Sequence, residues 1–208
     1  ALELYQSIGD ESGEGVVSLN LGVLNSSGYG DHECAIRLFS TALDICQSLE
    51  DDVLVGKSLW NLGSSYLALC AYDLACRYYE KALISLEELG DLHSLAGVYD
   101  SLGAAKKAIA LGECPSLVWT PQDENQSLVD AIELHYTALR MSSEIASRFG
   151  QAKAMLNIGL GQFCANKLRD AIETLMQALD LCRTYHYDSF TISCLSTLAK
   201  TYFCLGHL

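Results

Sequence analysis

The sequence predicts an all-α protein built from pairs of antiparallel helices. Apolar residues recur at helical spacing along nearly the whole chain. Of its 208 residues 50% are hydrophobic and 19% are charged, and only two are prolines. A frame of small residues, Leu-Gly followed by Ala and then by Ala-Leu at fixed offsets, returns several times. Together these observations favour a folded helical repeat array over a disordered chain.

The clearest unit of this frame begins at Lys57. Its marks are, in order, Leu62-Gly63, Tyr66, Ala75, Tyr79 and Ala82-Leu83. Gly63 allows the first helix of the unit to approach its neighbour closely, and Ala75 and Ala82 do the same for the second helix. Asp73 is expected to cap the N-terminus of that second helix.

The same frame returns in other parts of the chain. The first copy has Leu21-Gly22, Ala35, Phe39 and Ala42-Leu43, and a later copy has Ile158-Gly159, Ala171, Leu175 and Ala178-Leu179. This recurring frame resembles the tetratricopeptide repeat, a helix–turn–helix module of about 34 residues. The resemblance implies a right-handed superhelical solenoid of antiparallel helix pairs.

The repeat is longer than that standard length. Gly22 and Gly63 are 41 residues apart, and Gly63 and Gly103 are 40 apart. Units of this length with a Gly90-Asp91 junction resemble those of the Pins/LGN polarity adaptors and of rapsyn.

The frame predicts a single array over residues 1–208 that contains ten helices. Repeats are expected at about 14–50, 51–90, 91–147 and 150–186, with partial units at 1–9 and 188–208. The last helix, expected at 189–205, has no following helix to cover its apolar face. The unit at 1–9 is likewise a lone second helix, so we expect the chain to self-associate through one or both ends of the array.

Two departures from the frame predict loops. The turn at 26–30 of the first repeat is one residue longer than the turn of the second, so the preceding helix is expected to end near Asn25. In the third repeat 16 residues are inserted, and the insert at 112–127 holds both prolines. Because proline interrupts helices, the insert is predicted to be a loop and the next helix to begin at Val129.

Composition excludes several classes of function. The chain has 13 basic and 26 acidic residues, a net charge of −13, which argues against nucleic-acid binding. No apolar run is long enough to span a bilayer. The nine cysteines form no CxxC pair, and their helical surroundings indicate buried or half-buried thiols, reduced in the cytosol or nucleus.

No pattern typical of catalysis or metal binding is present. The five histidines are dispersed, and none stands at ligand spacing from another. His135 occupies the frame position of Phe39 and Tyr79, so we expect it to be a packed core residue. The sequence thus predicts a protein that is not an enzyme and needs no cofactor or metal.

The family resemblance implies that the first helix of each repeat lines a concave groove that binds partner peptides. The charged residues expected there are Lys57, Lys107, Lys153, Lys200 and Asp100, with a net charge of +3. The full set of predicted groove residues is Asn20, Lys57, Trp60, Asn61, Ser64, Lys107, Lys153, Asn157 and Lys200. We expect Glu in place of Lys57 and Lys153 to weaken partner binding with little loss of folding.

These observations lead to two hypotheses of function. The first is a scaffold that binds an extended or helical segment, acidic in character, of a partner protein. The second is a regulatory or self-association segment that controls another domain of a larger parent protein. The insert is either a simple excursion of the chain or a lid on the groove, formed by Leu117, Val118 and Trp119.

Overall fold

A computed structural model describes residues 2–112 and 123–206 of the chain. These residues form ten α-helices and one π-helical segment, and no strand occurs within these two ranges. The helices are α1 (Leu2–Ile8), α2 (Glu11–Val23), α3 (His32–Ser48), α4 (Asp52–Ala68), α5 (Tyr72–Leu89), α6 (Leu92–Ala110), α7 (Asp123–Glu144), α8 (Arg148–Cys164), α9 (Leu168–Thr184) and α10 (Asp188–Cys204). Short turns join helices that pack on each other, α2 on α3, α4 on α5 and α8 on α9. The predicted all-α architecture of antiparallel helix pairs is confirmed.

The chain divides into two compact units. The first unit is residues 1–94, and the second unit is residues 95–208. Helix α6 begins in the first unit and continues in the second. The single array over residues 1–208 stays a prediction.

The frame glycines lie against the largest side chains of the core. The pairs are Gly22 with Phe39, Gly63 with Tyr79, and Gly159 with Leu175. A Cβ atom on any of these glycines would lie under 3.0 Å from a carbon of its partner, and each partner is fully buried. Close helix packing therefore requires glycine at these positions, as the frame predicts.

The junction between α5 and α6 is built by Gly90 and Asp91. Gly90 ends α5 in the left-handed conformation, with φ of 66°, and its N–H donates to the carbonyl of Glu87. Asp91 accepts hydrogen bonds from the backbone N–H and the hydroxyl of Ser94, at 3.1 and 2.6 Å. The next helix therefore starts immediately after the turn.

The predicted cap of α5 is wrong. This helix begins at Tyr72, with Ala71 as its N-cap residue and no side-chain cap. Asp73 lies inside the first turn, where its charge still suits the positive end of the helix dipole. The sequence argument placed the start of the helix two residues too late.

The prediction of a loop at 26–30 is also wrong. The chain continues beyond α2 as a π-helical segment, Leu24–Tyr29, which ends at Gly30 with φ of 69°. A π-helical turn holds more residues than an α-helical one, so it absorbs the extra residue of the first repeat without breaking the helix.

Helix α7 begins at Asp123, six residues before the predicted Val129. No proline or glycine occurs between residues 122 and 145, so nothing in that part of the sequence breaks a helix. The proposed lid residues Leu117, Val118 and Trp119 lie outside the described residues.

Candidate functional site

The predicted groove residues of the first unit lie on α2 and α4. Lys57, Trp60, Asn61 and Ser64 are half-buried along one face of α4, and Asn20 of α2 is exposed. The amide of Asn61 donates to the carbonyl of Lys57 at 2.9 Å. Lys57 and Asn61 thus lie one helical turn apart on the same face of α4.

The hydroxyl of Ser64 has a structural role. It donates to the carbonyl of Trp60 at 3.0 Å and accepts from the hydroxyl of the core residue Tyr79 at 3.3 Å. Ser64 therefore joins α4 to α5.

The charge of Lys57 also acts on Asp91, at the start of α6. Burial opposes the ionisation of Asp91, but hydrogen bonds from Ser94 and the charge of Lys57 outweigh it and lower the pKa of that carboxyl. The charge of Lys57 therefore already stabilises the Asp91 carboxylate.

The predicted groove residues of the second unit lie on three helices. Lys107 of α6 is half-buried, Lys200 of α10 is exposed, and Lys153 and Asn157 of α8 are half-buried. Lys153 and Asn157 belong to a buried polar group that also contains Asp100 and His135, here called the Asp100 cluster.

Three side chains bind the Asp100 carboxylate, which is only 4% exposed. His135 Nδ1 and Asn157 Nδ2 each lie 2.8 Å from Oδ1, and Lys153 Nζ lies 3.0 Å from Oδ2. The cluster therefore joins α6, α7 and α8 through a single carboxylate.

The cluster keeps Asp100 charged. Burial favours the neutral acid, but the hydrogen bonds from His135 and Asn157 and the charge of Lys153 outweigh it. Together they hold the pKa of the Asp100 carboxyl well below its usual range. His135, Asn157 and Lys153 thus form a site that binds a carboxylate, and the carboxylate bound there is that of Asp100.

Two expectations about the groove are wrong for this reason. Asp100 is not a surface charge, and Lys153 is not a free one, since it neutralises a buried carboxylate. Glu in place of Lys153 would put two negative charges together, so this change is not a mild surface substitution. Of the positive charges predicted for the groove, that of Lys153 is paired with the Asp100 carboxylate.

The expectation for His135 is confirmed. Its ring is fully buried and lies against Gly103, as Tyr79 lies against Gly63. A fully buried ring has no access to a substrate. His135 therefore has a structural role.

The Asp100 cluster is not among the predicted site residues, although the sequence contains a signal for it. Asp100 occupies the frame position of Leu19 and Leu156, both buried apolar residues. A carboxylate at an apolar frame position requires donors, and the histidine at the aromatic position of the same repeat was the nearest candidate.

The Asp100 cluster gives a prediction about acid. Because the pKa of Asp100 is lowered by folding, its contribution to stability is complete above the unfolded pKa of about 4 and is lost as the pH falls below it. We expect the free energy of unfolding to fall more steeply below about pH 4 in the natural chain than in Asp100→Asn. Urea denaturation at several pH values measures both slopes, and parallel slopes would contradict the prediction.

The eight cysteines within residues 2–112 and 123–206 are free thiols with mixed exposure. Cys46, Cys182 and Cys194 are buried, as expected, whereas Cys70 and Cys204 are exposed, contrary to expectation. Burial, with a smaller contribution from neighbouring Cys182, raises the pKa of Cys194 to about 12. Burial therefore keeps Cys194 protonated and unreactive.

No group of three or more His, Cys, Asp or Glu residues within 2–112 and 123–206 is arranged to hold a metal ion. We expect chelators and reductants to leave the thermal melting midpoint unchanged, since these residues contain no such group and their cysteines form no disulfide. Thermal melts with and without EDTA and a phosphine reductant measure this, and a drop of several degrees with EDTA would contradict it.

Helix α10 exposes apolar side chains on one face. Ile192 is 68% and Phe203 is 70% exposed, and Leu195 lies between them. Self-association through this face stays a prediction. No helix in the described part of the chain is long and apolar enough to cross a membrane.

Comparison with known proteins identifies the repeated unit. Residues 16–88, which include α3, α4 and most of α5, match the tetratricopeptide repeat family. This segment of the chain is therefore similar to the tetratricopeptide repeat family. The matched segment contains the α4–α5 pair on which the frame of the sequence is based.

Solved structures of other proteins share the fold. A thermophilic tetratricopeptide repeat protein from Thermus thermophilus is 21% identical, with a TM-score of 0.68, over 93% of this chain and 84% of that one. BtubC (BKLC) from P. vanneervenii is 18% identical, with a TM-score of 0.65, over 100% of this chain and 85% of that one. A search of curated protein sequences gives no significant match.

Proposed function

We propose that this chain is a protein–protein interaction scaffold whose α4 face binds an acidic segment of a partner protein. The tetratricopeptide repeats support the scaffold role. The acidic character of the partner is supported by the way the chain binds its own Asp100.

The Asp100 cluster shows what a Lys-Asn pair at this position in the repeat can hold. On α8, Lys153 and Asn157 are one turn apart and bind a carboxylate with an ion pair and a hydrogen bond. On α4, Lys57 and Asn61 occupy the same two frame positions. This correspondence is the observation that carries the proposal.

The two pairs differ in what the preceding repeat supplies. The position of Asp100 is occupied in the first repeat by Leu19, which offers no carboxylate. The Asn61 amide donates to the carbonyl of its own helix instead, a bond that it can exchange for a bond to a ligand. An aspartate or glutamate of a partner would thus complete on α4 the arrangement that Asp100 completes on α8.

Selection of peptides from a random library on the immobilised chain tests this proposal. We expect the bound peptides to be enriched in Asp and Glu. Lys57→Glu should weaken the best peptide by about tenfold or more and flatten the salt dependence of binding, because it removes an ion pair and adds repulsion.

A matched control is Lys81→Glu, which makes the same charge change at an exposed position of α5. We expect its affinity to stay within about twofold of the natural chain. Selection of neutral or basic peptides, or equal effects of the two substitutions, would refute an acidic site on α4.

A further inference from the structure

A cleft of about 330 Å³ in the second unit lies outside the Asp100 cluster. Residues of α7, α8 and α9 line it. Leu139 and Met155 provide an apolar part, and the carboxylates of Asp170 and Glu173 provide an acidic part. The cleft therefore combines apolar surface with negative charge.

The cleft is open because two frame positions carry small or polar residues. In the second repeat these positions hold Tyr66 and Tyr78, whose rings stack with their centroids 5.2 Å apart. In the fourth repeat the same positions hold Gln162 and Thr174, and both line the cleft. A pair of large rings is thus replaced by hydrogen-bonding groups.

Gln162 has an unused acceptor. The residue is only 6% exposed, and its Nε2 donates to the hydroxyl of Tyr136 at 3.3 Å. Its Oε1 is buried and accepts no hydrogen bond. An unpartnered buried carbonyl costs free energy, which a donor entering the cleft would recover.

The acceptors of the cleft favour a guanidinium group. Asp170 and Glu173 are exposed, and neither forms an ion pair with any residue within 2–112 and 126–206. A guanidinium presents five N–H donors in a plane and pairs with carboxylate and amide oxygens. The methylene stem of an arginine would lie on Leu139 and Met155 while its head reaches the carboxylates.

We propose that this cleft is a second binding site, specific for an arginine side chain of a partner protein. It is independent of the acidic-segment site on α4, because it takes the opposite charge and uses different helices.

NMR titration of the isotopically labelled chain with N-acetyl-arginine methylamide tests the site. We expect saturable shifts of the Gln162 side-chain amide signals and of backbone signals in α7 and α9. The neutral isostere N-acetyl-citrulline methylamide should give no saturable shift. N-acetyl-lysine methylamide should bind about tenfold more weakly, since it lacks the planar fork of donors.

Two sets of variants decide the outcome. Asp170→Asn with Glu173→Gln should abolish saturation, whereas Asp180→Asn, an exposed acid elsewhere on α9, should leave it unchanged. Gln162→Tyr with Thr174→Tyr, which copies the second repeat, should close the cleft and abolish saturation. Equal affinity for citrulline and arginine, no saturable shift, or an unchanged response in Asp170→Asn with Glu173→Gln would each overturn the proposal.

Discussion

Replacing His135 with Phe is expected to lower the free energy of unfolding by about 3 kcal/mol at neutral pH. Phenylalanine fits the position sterically, as Phe39 does in the first repeat. The loss arises because Asp100 keeps its buried charge and loses a hydrogen bond of 2.8 Å. Removing a hydrogen-bond donor from a buried carboxylate is costly, since the remaining charge stays away from water.

A double substitution tests this explanation. Asp100→Leu with His135→Phe gives the combination that Leu19 and Phe39 form in the first repeat. We expect it to restore stability to within about 1 kcal/mol of the natural chain, because no buried charge remains and Lys153, whose side chain is 40% exposed, can extend into water. Urea denaturation at pH 7 of His135→Phe, of Asp100→Leu and of the double variant measures the three changes against the natural chain. Additive losses in the double variant would show that the positions do not interact.

Gly63→Leu is expected to cost on the order of 1–3 kcal/mol. A Cβ atom at this position would lie 2.6 Å from Cε1 of Tyr79, which is fully buried and has no room to move aside. Ala75→Leu should have a similar effect, since Ala75 is also fully buried. Both substitutions overpack the contact between α4 and α5.

The control for this experiment is Ala68→Leu, at an exposed position on the same helix. Its effect should stay within about 0.5 kcal/mol. Thermal and urea denaturation of the three variants measures the difference. Natural stability in Gly63→Leu would mean that the repeat frame is assigned wrongly.

Much of the fold is predictable from the sequence because repeat packing is local. Each helix contacts mainly its neighbours, so the spacing of Gly63, Ala75 and Tyr79 already specifies how α4 and α5 pack. The misses occur at helix ends. Asp73 was assigned as a cap on residue type alone, and the π-helical segment after α2 shows that a frame with an added residue need not contain a loop.

The candidate site was less predictable, for a different physical reason. The frame predicts where Lys57 and Lys153 lie on their helices, but it does not predict which groups their side chains contact. The Lys153 ammonium pairs with the buried Asp100 carboxylate. The other two donors to this carboxylate, His135 and Asn157, lie 35 and 57 positions away from it along the chain. Such long-range pairing is invisible to a pattern that describes one repeat at a time.

The Asp100 cluster also has a consequence for how α7 docks. This helix begins inside the 16-residue insert, at Asp123, and the 12 residues between the end of α6 and its start are long enough to reach more than one axial position. A slip of one turn along α6 and α8 would keep an apolar face inward, but would bring Ala131 or Leu139 opposite the Asp100 carboxylate in place of His135. Neither can donate a hydrogen bond, so the slipped arrangement leaves a charge without its donor. The buried acid thus selects one registry of the helix among several that hydrophobic contact alone would accept.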